Sequence, residues 1–312
     1  MPESSESGTI NFPLAIRFSH SGRLKNVNIF SCLETMQRKE PTVKVAILAG
    51  GFGTRLAEET VSKPKPMVEI GGRPILWHIM MHYHAHGYSD FVIALGYKAD
   101  VIKRWFVDMA ELAGDLRVMP GRGTVERRGA ELPDWAVDLV DTGLEANTGG
   151  RIKALADTIG RERFMLTWGD GVSDVDLDAL LRFHQAHGKL ATMTAVRPPP
   201  RFGHLTLDGS RVVSFEEKPV EAEGWINGAF FVLEPEVFDY IDGPETQFEK
   251  APLERLARDG QLMAFQHRGF WQCMDTVADK VRLEQLWAAG QAPWVRRDRE
   301  ACTSSLRVIA AT

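Results

Sequence analysis

The chain has 312 residues, 44% of them hydrophobic and 25% charged, which argues against a disordered chain and leaves room for one large domain or two small ones. A formal net charge of -5 argues against a polyanion-binding surface, so nucleic acid is not an expected partner. Three scattered cysteines, Cys32, Cys273 and Cys302, fit neither a disulfide framework nor a zinc site. No apolar run approaches the roughly 20 residues of a membrane span, and no signal-peptide core opens the chain. A cytoplasmic protein with no membrane partner is the simplest expectation.

Residues 1–42 show no sustained period and are rich in Ser, Asn and Glu. They are expected to be an appended N-terminal extension, flexible or a start-site artefact, because Met36 lies just before the first clear strand. From Val43 the pattern alternates between strands and helices, as in a mostly parallel sheet covered on both faces. Strands are expected over 43–48, 91–95, 137–140, 164–168 and 191–196. Helices are expected over 74–86, 100–112, 150–159 and 176–187; the first opens on Pro74 and closes before Gly87. Pro198, Pro199 and Pro200 break the alternation. Shorter strands near Leu205, Val212 and Ala229 then suggest a smaller antiparallel portion, followed by helices over 249–258 and 277–289. The boundaries read as a catalytic domain over 43–295 and a C-terminal tail over 296–312, with no internal repeat.

The stretch "ILAGGFGTRLAEETVSKPKPM", Ile47 to Met67, raises the first chemical question. A dinucleotide fingerprint needs a third glycine where this chain has Leu56, and an acidic residue after the second strand where it has Leu95, Gly96 and Tyr97. A phosphate-binding P-loop needs a Gly-Lys-Ser/Thr step that is absent. What remains is a turn of small residues whose backbone N–H groups can approach an anion, followed by Arg55, Lys63 and Lys65. Pro64 and Pro66 flank Lys65 and stiffen its backbone, so its amine is presented. This suits a polyphosphate; the competing reading is a tight turn with solvated lysines.

Two carboxylates extend the pattern. Asp170 follows the buried-strand run "FMLTW", where a parallel sheet opens its crevice, and lies between Gly169 and Gly171. Asp275 follows the aromatic run "FWQC" just before a helix, where a helix-terminal carboxylate is the alternative. Such a pair can hold Mg²⁺, which takes hard oxygen ligands from one or two carboxylates and substrate phosphates. In "FEEKP", Glu217 can accept sugar hydroxyls while Lys218 pairs with a phosphate, unless this is an exposed strand end. His78, His82 and His86 recur every fourth residue and could share a metal, but no fourth ligand is evident, so a His-rich polar helix face is expected.

"AILAGGFGTRL", "KPKPMVEIGGRPILWHIM", "WGDG", "EKP", "INGAFFVL" and "FWQCMDT" occur in this order, and together they resemble the sugar-1-phosphate nucleotidyltransferases. "LVDTGLEANTGGRIK" narrows the likeness to members that use CTP and glucose 1-phosphate. The resemblance implies an α/β fold with a Rossmann-like, mixed but mostly parallel central sheet flanked by helices and a smaller antiparallel sugar-binding portion. It implies that Gly50, Gly51, Gly53 and Thr54 line the nucleotide phosphates, which the catalytic residues Arg55 and Lys65 neutralise. Asp170 and Asp275 would be the metal ligands. Thr148, Gly149, Gly150 and Arg151 would lie near the base, Lys218 would hold the sugar phosphate, Glu217 the sugar hydroxyls, and Asn227 and Gly228 would line the sugar pocket. The implied partners are CTP, glucose 1-phosphate and further copies of the chain in a homo-oligomer, in nucleotide-sugar synthesis for deoxysugars of surface polysaccharide such as O-antigen. Cys273 stands where the family pattern has proline, which puts the local backbone rigidity in question. A uridylyl-, thymidylyl- or guanylyltransferase and a non-catalytic nucleotide-binding regulator of the same fold are the alternatives. Retention of Lys65, Asp170, Lys218 and Asp275 together favours an enzyme over the regulator.

Overall fold

A computed structural model describes residues 43–51, 53, 56–129, 131–198, 204–216 and 224–295, without the side chains of 57, 58, 204–207, 215 and 216. All of these lie in the unit Thr42–Thr312. The expected extension, the tail, and Thr54, Arg55, Glu217 and Lys218 fall outside the described residues.

The central sheet has seven strands among the described residues: β1 (Lys44–Leu48), β2 (Asp90–Leu95), β3 (Ala136–Asp141), β4 (Phe164–Trp168), β5 (Ala191–Val196), β6 (Ile226–Leu233) and β7 (Leu262–Gln266). Their spatial order is β7-β5-β6-β4-β1-β2-β3. Neighbours are parallel except at β6, which runs antiparallel to both β5 and β4. The sheet is covered on both faces, and the alternation along each strand shows why the sequence reads as continuous apolar runs. In β1, Val45 and Ile47 join one buried cluster while Ala46 and Leu48 join the other; in β2, Phe91, Ile93 and Leu95 oppose Val92 and Ala94. Helices α1 (Ile75–Ala85), α2 (Ala99–Leu112), α4 (Leu177–His187) and α6 (Val277–Ala288) supply Ile79, Ile102, Leu180 and Leu283 to the first cluster. Helices α3 (Thr148–Ala154) and α5 (Ala251–Arg258) supply Ile152 and Leu256 to the second. Each such large apolar side chain contributes about 1.5–3 kcal/mol on burial, an upper bound because unfolded chains are partly compact.

The expected antiparallel portion is corrected in one respect. The hairpin His204–Asp208/Arg211–Glu216 is a separate two-stranded ladder, but the strand around Ala229 is β6 of the central sheet. Phe230 and Val232 face one cluster and Phe231 and Leu233 the other, so this run needs cover on both sides. The expected helix over 150–159 is broken at Leu155 into α3 and a single turn, Ala156–Ile159.

The histidines of α1 are not a solvated face. His78 and His82 are buried, and each ring binds a backbone carbonyl: His78 Nε2 lies 2.8 Å from Ile70 O and His82 Nε2 3.0 Å from Val175 O. The Trp294 indole N–H donates to His78 Nδ1 at 3.2 Å, so His78 carries its proton on Nε2 and is neutral. His86 Nδ1 instead meets Asp178 Oδ2 at 2.9 Å, and ligand atoms of His86, Asp176 and Asp178 lie within 4.8 Å of one another. This group is a helix-capping network: Asp176 accepts the Ala179 N–H at 2.8 Å and Asp178 the Tyr88 hydroxyl at 3.1 Å. The positive end of α4 favours these anions and disfavours a cation.

Burial lowers the pKa of His78 to about 4. Burial likewise lowers that of His184, which lies between Thr192 and Glu234, to about 4. Both are depressed below the unfolded value of about 6.5, so the unfolded chain takes up protons first as pH falls. Stability should therefore fall on acidification from about pH 6.5 toward 4, with a slope of up to about 1.4 kcal/mol per pH unit for each histidine. Urea unfolding across that window should show this slope, and His78→Gln should reduce it; a flat profile contradicts the neutral, buried assignment.

Candidate active site

The site lies where the parallel strands β1 and β4 end. The chain leaves β1 at Leu48, and the Gly169 N–H just after β4 donates to Leu48 O at 2.9 Å, bringing Asp170 beside the glycine-rich turn. Asp275 comes from far downstream. It is delivered by a small antiparallel ladder in which Gly171–Ser173 pairs with Trp271–Cys273, closed by Met274 N–H donating to Asp170 O at 2.8 Å. Lys65 sits on a single 3-10 turn, Lys65–Met67, behind Pro64 in extended conformation. Its ammonium donates to Asp170 Oδ2 at 2.7 Å and to Asp275 Oδ1 at 2.5 Å. Three residues selected from separate stretches of sequence thus meet at one nitrogen. Burial alone would pull the Lys65 pKa down; the charges and hydrogen bonds of Asp170 and Asp275 reverse this and hold it above its ordinary value.

The Asp275 loop is organised by Asp279. Thr276 is the N-cap of α6, and Asp279 completes a capping box with it. Asp279 Oδ2 accepts the N–H groups of Asp275 and Thr276 at 3.1 and 2.9 Å, and Gln272 Nε2 donates to Oδ1 at 3.0 Å. The capping duty therefore falls on Thr276 and Asp279, and Asp275 faces Lys65 instead. On either side of Cys273, which pairs with Gly171, the loop is thus held by hydrogen bonds. Burial first, then Asp275 and Asp170, push the Cys273 thiol up to about 12, so it is a protonated, weak donor 3.7 Å from Asp275 Oδ2 and not a nucleophile.

Arg151 builds the glycine-rich turn from beneath. Its guanidinium donates to Gly50 O at 3.0 Å, Leu95 O at 3.1 Å, Gly143 O at 2.7 Å, Leu144 O at 3.0 Å and Thr142 Oγ1 at 2.8 Å. A Cβ on Gly50 would lie 2.4 Å from this guanidinium, so the turn admits no side chain there. The Gly50 carbonyl points at Arg151, and across a trans peptide the Gly51 N–H points the opposite way, outward from an exposed residue. That is the donor geometry an anion needs.

The other expected base-side residues are also bound within the protein. The Gly149 and Gly150 N–H groups donate to Thr246 O at 2.9 and 3.3 Å, and a Cβ on Gly150 would strike Pro244 O at 2.2 Å. The Thr148 hydroxyl donates to Glu249 Oε2 at 2.6 Å and accepts the Phe248 N–H at 2.9 Å. Glu249, absent from the sequence expectation, also takes the Trp168 indole N–H at 3.2 Å. Thr148, Gly149 and Gly150, expected near the base, are thus anchored to the 246–249 segment, and Arg151 alone of the four bonds the turn. Asn227 and Gly228 lie at an irregularity of β6, where Ala229 has φ 60° and its N–H donates to Asn227 Oδ1 at 2.8 Å. The Trp271 indole N–H donates to Gly228 O at 2.8 Å and ties this bulge to the strand that leads to Asp275.

A mostly parallel α/β sheet with a glycine-rich turn, a lysine and two convergent carboxylates beyond its strand ends belongs to the nucleotide-binding α/β class. The Nucleotidyl transferase family model matches residues 44–280, and the chain belongs to that family. It is 52% identical over 253 residues to the glucose-1-phosphate cytidylyltransferase of Salmonella typhi, covering 81% of this chain and 98% of that protein. The same identity and coverage hold for the glucose-1-phosphate cytidylyltransferase of Salmonella typhimurium strain LT2. The crystal structure of HddC from Yersinia pseudotuberculosis shares the fold with a TM-score of 0.57 at 23% identity, covering 78% of this chain and 99% of that one.

Proposed function

We propose that the protein transfers the cytidylyl group of CTP to α-D-glucose 1-phosphate, forming CDP-glucose and pyrophosphate. The observation that carries this reading is the single Lys65 nitrogen bonded to both Asp170 and Asp275, on a side chain that packs against Gly53 of the glycine-rich turn. The choice of CTP and glucose 1-phosphate is supported by the two Salmonella relatives.

The chemical problem is to bring two anions together. The sugar phosphate oxygen is already ionised, so attack on the α-phosphorus requires neither a general base nor a covalent intermediate. Neutralisation and alignment are what the protein must supply. Gly51 and its neighbours Gly50, Gly53 and Thr54 would cradle the triphosphate, with Arg55 and Lys65 opposing its charge. Arg151 would act on the nucleotide through the turn it supports, while Thr148, Gly149 and Gly150 would lie near the base. Lys218 and Glu217 would hold the sugar phosphate and hydroxyls, alongside Asn227 and Gly228. Asp170 and Asp275 would hold Mg²⁺; hard carboxylate oxygens converging on one cation position suit it. When bound, the metal neutralises charge on the triphosphate and on the departing pyrophosphate. The same reading carries a cytoplasmic location and a homo-oligomer, which cell fractionation and light scattering check.

The test is pyrophosphate release from each of CTP, UTP, dTTP and GTP with glucose, mannose and galactose 1-phosphates and Mg²⁺. CTP with glucose 1-phosphate should be the preferred pair. Activity confined to UTP, dTTP or GTP would overturn the cytidylyl reading, and no release from any pair would favour a regulator.

A further inference from the structure

We infer that Lys65 is a placeholder cation, whose ammonium holds Asp170 and Asp275 together in the free enzyme and must leave them before a divalent metal can enter. The inference rests on the reading of these carboxylates as the metal site. Asp170 Oδ2 and Asp275 Oδ1 both accept from one nitrogen, at 2.7 and 2.5 Å, so the ammonium occupies the place between them that a shared metal ion needs. The three side chains are reachable from solvent, with exposures of 12% for Lys65, 28% for Asp170 and 25% for Asp275.

The backbone of Lys65 cannot move the amine away. The Met67 N–H donates to Pro64 O at 2.8 Å and the Val68 N–H to Lys65 O at 3.1 Å, and Pro66 and Met67 are buried. The amine can leave only by rotation of its own flexible stem. A bare divalent cation meets two carboxylates already paired and a positive charge in the way. A polyphosphate changes the balance by offering the ammonium other oxygens. Metal and polyphosphate therefore enter with positive coupling, each raising the affinity for the other by the same factor.

The experiment titrates Mn²⁺ alone, with no nucleotide, into the full-length protein and follows free Mn²⁺ by electron paramagnetic resonance. Lys65→Met should bind Mn²⁺ at least about tenfold more tightly than wild type. Lys65→Gln should do the same and guards against a folding defect peculiar to methionine, whereas Lys65→Arg, which keeps the charge, should stay near wild type. Adding Asp275→Asn to Lys65→Met should abolish the gain. Equal Mn²⁺ affinity in wild type, Lys65→Met and Lys65→Gln, with Asp275→Asn weakening all three, overturns the placeholder role while leaving the metal site intact. A gain that survives Asp275→Asn overturns the metal-site reading itself.

Discussion

Asp170→Asn should lower turnover by about 10²–10³, the scale seen when one preorganised electrostatic group is lost from a site where charge develops. Asparagine preserves size and removes the charge that opposes Lys65 and would bind the metal. Folding should change less than turnover. The Lys65 side chain is only 12% exposed, so this is a partly buried pair, but losing the Asp170 charge does not strand the ammonium. Lys65 also keeps Asp275 at 2.5 Å. Steady-state pyrophosphate release, read beside a thermal melt, separates the two effects. Near-normal turnover in a folded variant would remove Asp170 from the machinery, and a large loss of stability would make its role structural.

Arg151→Met should have the opposite signature, with stability lost first. Arg151 is 5% exposed and donates to five oxygens, four of them main-chain carbonyls from the turn after β1, the end of β2 and the turn after β3. Methionine fills much of the volume and satisfies none of them. Hydrogen bonds from a charged donor contribute about 1.5–3 kcal/mol each and are not additive, so a total cost of about 3–5 kcal/mol is expected. For a domain of this size that lowers Tm by roughly 10 °C. The Gly50 carbonyl would then keep only the Tyr97 N–H at 3.2 Å, which loosens the peptide that carries the Gly51 N–H, so the KM for CTP should rise even where the protein is folded. A melting temperature within about 2 °C of wild type would contradict the scaffold role.

Much of this architecture is legible because its signals are local. Val45 to Leu48 and Phe91 to Leu95 read as buried strands since both faces are apolar, and both lie in the sheet. Asp170 could be selected from the apolar run that ends beside it, and Lys65 from its flanking prolines. What could not be read is long-range pairing. Nothing within Gly171–Ser173 announces a strand, because it exists only by pairing with Trp271–Cys273, and that ladder is what joins Asp170 to Asp275. The hairpin Asp115–Met119/Thr124–Arg128 was equally hidden, since Leu116, Val118 and Val125 are exposed and no buried face imposes alternation. The scaffold role of Arg151 has no such local signal, because four of its five partners are main-chain carbonyls, which carry no sequence signature. Asp279 was within reach: Thr276 followed three residues later by an acidic residue is a capping-box pattern.

On the proposed reading, transfer is a single displacement at the α-phosphorus, with the protein neutralising and aligning two anions and forming no covalent bond to either. Its readout is the stereochemical course of transfer from one diastereomer of a CTP whose α-phosphate carries sulfur in place of a non-bridging oxygen. One in-line attack by the sugar phosphate predicts CDP-glucose with inverted configuration at that phosphorus. Retention would require two successive displacements through a covalent enzyme intermediate, and would contradict the account.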